Sequence, residues 1–163
     1  PIIIYNIPGR SVVDMTIETM TELSKVDNIL GVKDATQDLF RPLLSRKSIK
    51  KPFCYLSGED GTVVPFLSQG GHGCISVTAN IVPKLCSDLH NNWINKNYEE
   101  VFKINLKLAN LHHVLFIESS PGPVKYAAEL LDLCSSETRL PLTEIKDTTK
   151  EIIKEVLKEI GII

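Results

Sequence analysis

The chain has 163 residues, 43% of them apolar, with 18 basic against 20 acidic side chains and a formal charge of −2. That length fits one domain, or one domain with an appendage, and the composition can fill a core, which excludes a disordered chain. A near-neutral balance without basic runs excludes an electrostatic footprint for nucleic acid and a polybasic patch for anionic membranes.

Pro1 leads directly into an apolar run over residues 2–5, with no polar lead-in. This reads as a strand entered midway through a fold, so the expectation is a piece of a longer protein. Val12, Val13, Met15, Ile17, Met20 and Leu23 then recur at roughly helical spacing. A second apolar run, NILGVK over residues 28–33, precedes a short helix around residues 39–49. A third, FCYLS over residues 53–57, precedes a compact helix over residues 62–69 between glycines. The fourth, CISVT over residues 74–78, leads into a helix running to about residue 95. Asn80 is placed to cap that helix, and Pro83 is tolerated in its first turn. The rest reads as helix: residues 98–116, 121–133 and 148–160, the last stopped by Gly161.

Continuous apolar runs separated by helices imply a parallel sheet covered by helices. Their recurrence roughly every 20–28 residues fits βα units. Four units fill residues 1–95, and residues 96–163 form a helical region. A closed barrel of eight units needs about 250 residues, so four make either a small open sheet or half of a (β/α)₈ barrel. Periodicity does not choose between them, although a half barrel leaves two unpaired edges of the kind proteins normally avoid.

In parallel α/β folds functional side chains gather where strands end and helices begin. Lys33 stands at such an end, after Gly31 and Val32. Burial among apolar walls disfavours a charged amine, and a neutral amine attacks a ketone to form a Schiff base. The plainer reading is a lysine just past its strand that reaches back to water. Tyr5 sits at the equivalent end of the preceding strand, where a phenol can shuttle protons or simply be a strand aromatic. Arg10 follows the Pro8-Gly9 turn, where a guanidinium can grip a carboxylate bidentately or stay a solvated loop charge.

Other features read structurally. Gly70-Gly71-His72-Gly73 lacks the lysine and hydroxyl residue of a phosphate loop and reads as a helix stop with a tight entry to the fourth strand. His112 and His113 are adjacent on a helix and cannot share a face, and with His72 and His90 scattered no metal site is expected. Glu59-Asp60 reads as an acidic pair serving a helix N-terminus. Val101, Ile104, Leu108, Leu111 and Leu115 form a packing stripe. The cysteines, Cys54, Cys74, Cys86 and Cys134, make no CxxC pair and read as buried reduced thiols of a cytosolic protein. No apolar run approaches the ~18 residues of a membrane span, and no signal peptide is expected.

Four segments in this order resemble the dihydrodipicolinate synthase family, pyruvate-dependent class I lyases that include N-acetylneuraminate lyase. They are Tyr5-Asn6-Ile7-Pro8-Gly9-Arg10 (YNxPxR), Gly31-Val32-Lys33-Asp34 (GVKD), Ser57-Gly58-Glu59-Asp60 (SGED) and residues 70–80 (GGHGCISVTAN). Pro121-Gly122-Pro123-Val124-Lys125 and Leu140-Pro141-Leu142 look like the family's C-terminal helical region. Any one segment is weak; four in order are specific.

The resemblance implies an α/β fold in which this chain supplies strands five to eight of a (β/α)₈ TIM barrel plus a C-terminal helical appendage. It implies Lys33 as the Schiff-base lysine and Tyr5 as the proton relay. Gly58 and Ile75 would line the pyruvate site, Ile75 through its backbone, and Arg10 would hold the carboxylate of the aldehyde partner. The implied reaction condenses pyruvate with aspartate-4-semialdehyde to 4-hydroxy-tetrahydrodipicolinate, in a cytoplasmic homotetramer, with no cofactor and no metal. The family's Thr-Thr pair and the tyrosine contributed across a dimer interface cannot be identified, so activity is expected to need an N-terminal half. Alternatives are an aldolase of the same family acting on a 2-keto-3-deoxy sugar acid or N-acetylneuraminate, for which Arg10 has no evident use, and a non-catalytic half-barrel fragment.

Overall fold

The computed structural model describes residues 1–163. Four parallel strands, β1 (Ile2–Asn6), β2 (Ile29–Asp34), β3 (Cys54–Ser57) and β4 (Gly73–Cys74), form one sheet in the order β1-β2-β3-β4. Between them run α1 (Pro8–Ser11), α2 (Ile17–Ser24), α3 (Arg41–Ser48) and α4 (Val63–Ser68). A 3₁₀ turn (Thr78–Asn80) then leads to α5 (Pro83–Ile94), α6 (Tyr98–Val114), α7 (Gly122–Glu129) and α8 (Asp147–Glu159). The expected α/β architecture with a parallel sheet is therefore present. No helix is long and apolar enough to cross a membrane.

The chain divides into two compact units, Pro1–Ser76 and Val77–Ile163. This is a different cut from the βα repeat, which ends at residue 95: α5 packs on α6, although in chain order it follows the fourth strand. In the first unit, side chains alternate across the strands. Val32, Phe53 and Tyr55 point to the helices and form a buried cluster with Met20, Ile29, Ile49 and Phe66. Ile3 and Tyr5 point to the other face and are 39% and 48% exposed. In the second unit Val101, Ile104, Leu108, Leu111 and Leu115 are buried, as their spacing predicts, together with Ile153 and Leu157 of α8.

Several local expectations need correction. The helical pattern beginning at Val12 breaks in two: Val12 adopts φ 65° as the C-cap of α1, and Val12 and Val13 are exposed before α2 starts at Ile17. Thr16 caps the true helix by accepting from Thr19 N at 3.2 Å. β4 is only two residues long, because the chain turns into the 3₁₀ segment at Thr78. Asn80 does not cap α5; it lies in that turn and donates to Val77 O, and Val82 takes the cap position. The cysteines are free thiols, but three are half-buried and Cys134 is exposed.

The glycine motif behaves as read, and the acidic pair only in part. Gly70 has φ +87°, and a Cβ at Gly71 would stand 2.3 Å from Phe66 Cδ1, so the glycines make the tight passage from α4 to β4. Glu59 fixes the turn that leads into α4, accepting from Gly61 N at 3.1 Å and Thr62 N at 2.7 Å, without capping the helix itself.

Candidate active site

The carboxyl ends of the four strands gather the polar residues. Tyr5 pairs with Lys33 and Lys33 with Leu56, which itself pairs with Gly73, so one row crosses the sheet on one face. The parallel ladder continues past the strand ends: Ala35 N donates to Asn6 O, Gly58 N to Asp34 O and Ile75 N to Ser57 O, at 2.9, 2.7 and 2.9 Å. With a side-chain period of two, Gly58 and Ile75 therefore return to the face that carries Lys33.

Lys33 is half-buried, and its Nζ lies over the ring of Tyr5, 3.9 Å from the centroid. That is close enough for the quadrupole of the ring to attract an ammonium and hold the amine at the mouth of the sheet. Gly58 lies against the same side chain. A Cβ there would stand 3.0 Å from Lys33 Cε, 3.2 Å from its Cγ and 2.9 Å from the Cβ of Ala35. The bare glycine is what leaves room for the lysine stem.

Ile75 follows β4 with its side chain 45% exposed. Its N–H is already spent on Ser57 O, so any backbone contact from Ile75 to a ligand falls to its carbonyl, an acceptor. Arg10 lies exposed on α1, at the same end of the sheet, five residues after Tyr5. The structure thus sets Lys33 over Tyr5 and beside Gly58, puts Ile75 on the same face, and leaves Arg10 on α1, just after the first strand.

Sequence reasoning missed the other face of these strand ends. Asn6 and Asp34, each next to a residue of the Tyr5–Lys33 pair, point toward the helices, where Asn6 and Arg41 are buried. Arg41 Nη1 meets Asp14 Oδ2 at 2.9 Å and Nε meets Asp34 Oδ2 at 3.3 Å. One signal was available. Arg41 opens α3, and a cation at a helix N-terminus opposes the macrodipole, so another partner has to justify it. Asp60 was read with Glu59 as a helix-end acid, but it is buried and accepts from Ser76 Oγ. No group of three His, Cys, Asp or Glu side chains converges to hold a metal ion.

Residues 1–160 match the model of the dihydrodipicolinate synthetase family. The chain is 52% identical over 163 residues to a 4-hydroxy-tetrahydrodipicolinate synthase of Rhodospirillum centenum, covering 100% of this chain and 56% of the relative. It is 51% identical over 164 residues to one from Gluconacetobacter diazotrophicus, of which it covers 55%. The chain thus spans about half the length of the curated relatives it matches. Among solved structures, dihydrodipicolinate synthase from Aquifex aeolicus superposes with a TM-score of 0.95 at 37% identity, over 99% of this chain and 56% of that one. A chloride-inhibited dihydrodipicolinate synthase from Acinetobacter baumannii, complexed with pyruvate, gives 0.94 at 40% identity, over 100% and 56%. By sequence and by fold, the chain belongs to the dihydrodipicolinate synthetase family.

Proposed function

We propose that this chain is the C-terminal half of a 4-hydroxy-tetrahydrodipicolinate synthase, a lyase of lysine and diaminopimelate biosynthesis that condenses pyruvate with aspartate-4-semialdehyde through a Schiff base on Lys33. The observation that carries the reading is the Lys33 amine poised over the Tyr5 ring, 3.9 Å from its centroid, at the carboxyl end of a parallel sheet. The relative from Acinetobacter baumannii, crystallised with pyruvate, supports the same substrate class.

In this reading the neutral amine of Lys33 attacks C2 of pyruvate to give a carbinolamine, and loss of water gives the imine. The protonated imine withdraws electrons, a proton leaves C3, and the enamine carbon attacks the aldehyde carbon of aspartate-4-semialdehyde. The amine of that substrate then attacks C2, and Lys33 departs as the ring closes. Two substrates become one cyclic product and one water. The imine itself is the electron sink, so the sequence of steps requires no cofactor.

The neighbouring residues take roles their chemistry suits. The Tyr5 phenol carries protons to and from the carbinolamine oxygen. The Ile75 carbonyl accepts from the hydroxyl of that intermediate, and Gly58 keeps the lysine stem unobstructed. The Arg10 guanidinium takes the carboxylate of the aldehyde partner.

In architecture, the βα units of residues 1–95 would be strands five to eight of a (β/α)₈ barrel, and residues 96–163 its helical appendage. The exposed apolar face around Ile3 and Tyr5 is then barrel interior that the N-terminal half covers. That half would also supply the Thr-Thr pair and the intersubunit tyrosine, within a cytoplasmic homo-oligomer.

Borohydride reduction in the presence of pyruvate, followed by peptide mapping, tests the reading on the chain alone and with the N-terminal half supplied. The expected result is a reduced adduct on Lys33 that requires both halves. Folded protein with both halves and no adduct would overturn the Schiff-base assignment. Turnover with 2-keto-3-deoxy sugar acids but not with aspartate-4-semialdehyde would overturn the substrate assignment alone.

A further inference from the structure

We propose that Arg41 is a positioning residue for this reaction: its guanidinium, clamped between Asp14 and Asp34, sets the strand ends that carry Tyr5 and Lys33 and the loop that carries Arg10. The inference rests on the reading of Lys33 as nucleophile and goes beyond it, since Arg41 belongs to none of the strand-end segments and lies on the helix side of the sheet.

The contacts form a closed circuit. Asn6 Nδ2 donates to Asp14 Oδ1 at 2.8 Å, and Met15 N donates to Asn6 Oδ1 at 3.2 Å. Arg41 Nη1 donates to Asp14 Oδ2 at 2.9 Å, and Nη2 donates to Met15 O. Arg41 Nε donates to Asp34 Oδ2 at 3.3 Å, while Asp34 Oδ1 accepts from Thr36 N at 2.8 Å and Thr36 Oγ1 at 2.6 Å. Asn6 and Asp34 are themselves register partners, and Ala35 N donates to Asn6 O. Arg41 is 8% exposed, and the side chains of both Arg41 and Asp34 are 10% exposed, so this pair is not a surface decoration.

Its reach follows from strand geometry. Neighbouring residues of a strand face opposite ways, so fixing Asn6 and Asp34 on the helix side fixes the backbone from which Tyr5 and Lys33 project on the other. Asp14 and Met15 close the loop that began at Ile7 and contains Arg10, so the same guanidinium anchors its far end. A planar fork spreads its donors over Nε, Nη1 and Nη2 and so reaches three separated acceptors, whereas a lysine gathers its three donors on a single nitrogen and cannot span them. A hydrophobic residue would leave the Asp34 carboxylate buried without its partner.

The test uses the intact enzyme and the variants R41K, R41M and D34N/R41M, each followed by thermal denaturation, steady-state kinetics and borohydride trapping of pyruvate. R41K and R41M are expected to lower kcat and the trapping rate by about tenfold to a hundredfold, with a smaller change in KM for pyruvate, the scale set by a reacting group moved by about an ångström. D34N/R41M removes both charges, so it should recover the melting temperature while turnover stays low. Should R41M fail to fold, R41K carries the comparison, because it keeps the charge and loses the fork.

Recovery of turnover in step with the melting temperature would make Arg41 merely structural and overturn the proposal. So would folded R41K with wild-type turnover. A wild-type enzyme that traps no pyruvate on Lys33 would overturn the Schiff-base reading itself, an outcome distinct from a wild type that traps pyruvate alongside variants that do so equally well.

Discussion

Gly58 and Lys33 compete for one space: a Cβ added at Gly58 would stand 3.0 Å from Lys33 Cε and 3.2 Å from Cγ, tighter than ordinary van der Waals contact. The backbone at Gly58 has no positive φ, so conformational freedom is not what the position requires. Gly58→Ala can therefore fold, but its Cβ would stand 2.9 Å from the Cβ of Ala35 as well, so the lysine stem swings aside and the backbone beside Ala35 shifts slightly. The expected outcome is a trapping rate lowered by about tenfold or more, because the amine leaves its attack position. The melting temperature should fall modestly, because the approach to Ala35 Cβ is not relieved by the lysine. Peptide mapping after borohydride reduction measures the first and thermal denaturation the second. An unimpaired adduct in a stable variant would refute this role for the glycine.

Tyr5 offers two separable things to Lys33, a ring face and a hydroxyl. Tyr5→Phe keeps the face over which Nζ stands and removes only the proton carrier. If the phenol relays protons, kcat falls by about 10²–10⁴. Stability should change little, since the ring that packs at the strand end is kept. Tyr5→Leu removes the face as well and should also slow the capture of pyruvate. Equal activity of wild type and Tyr5→Phe would assign the relay to another group.

How much of this could be read beforehand depended on which interaction governed each residue. The placement of Lys33 and Tyr5 side by side at the strand ends was legible because each closes an apolar run of a parallel sheet. The stripe from Val101 to Leu115 was legible because burial alone set its period. Val12 and Val13 were misread because their hydrophobicity matched a helix that the backbone had already left, with Val12 at φ 65°. Asn80 had capping chemistry, but the 3₁₀ turn at Thr78 displaced the helix start beyond its reach. The Arg41 circuit joins residues 27 and 26 positions apart, at Asp14 and Met15, and only the folded chain brings them together. Its single local trace was a cation at the wrong end of a helix.

Gly31 provides a contrast with Gly58. A Cβ at Gly31 would stand 2.5 Å from the backbone oxygen of Cys54, 2.8 Å from its Cβ and 2.8 Å from Ile3 Cδ1. Backbone cannot give way as a lysine stem can, so Gly31→Ala must push β2 and β3 apart. Overpacking of this kind costs about 1–3 kcal/mol. Stability and activity should fall together in denaturation and turnover measurements. A stable Gly31→Ala enzyme with only its activity reduced would contradict the assignment of Gly31 to strand packing.

In the second unit, acid sensitivity should pass through Glu118. Its carboxyl is held below the usual carboxylate range, first by the hydrogen bond with Thr149 and next by the backbone N–H of Lys146, which donates to Oε1 at 3.0 Å. Both donors belong to the start of α8, so the ionised carboxylate tethers that helix. A carboxyl whose value is depressed by folding stabilises the fold fully above its unfolded value, about 4.3 for a glutamate, and loses that contribution as the pH falls through the lower folded value. The melting temperature should therefore drop as the pH is lowered below about 4.3. Glu118→Gln, which titrates no proton, should begin less stable at neutral pH and show a shallower decline on acidification. Thermal denaturation of both proteins at a series of pH values compares the slopes, and parallel curves would mean that Glu118 contributes nothing to the acid limb.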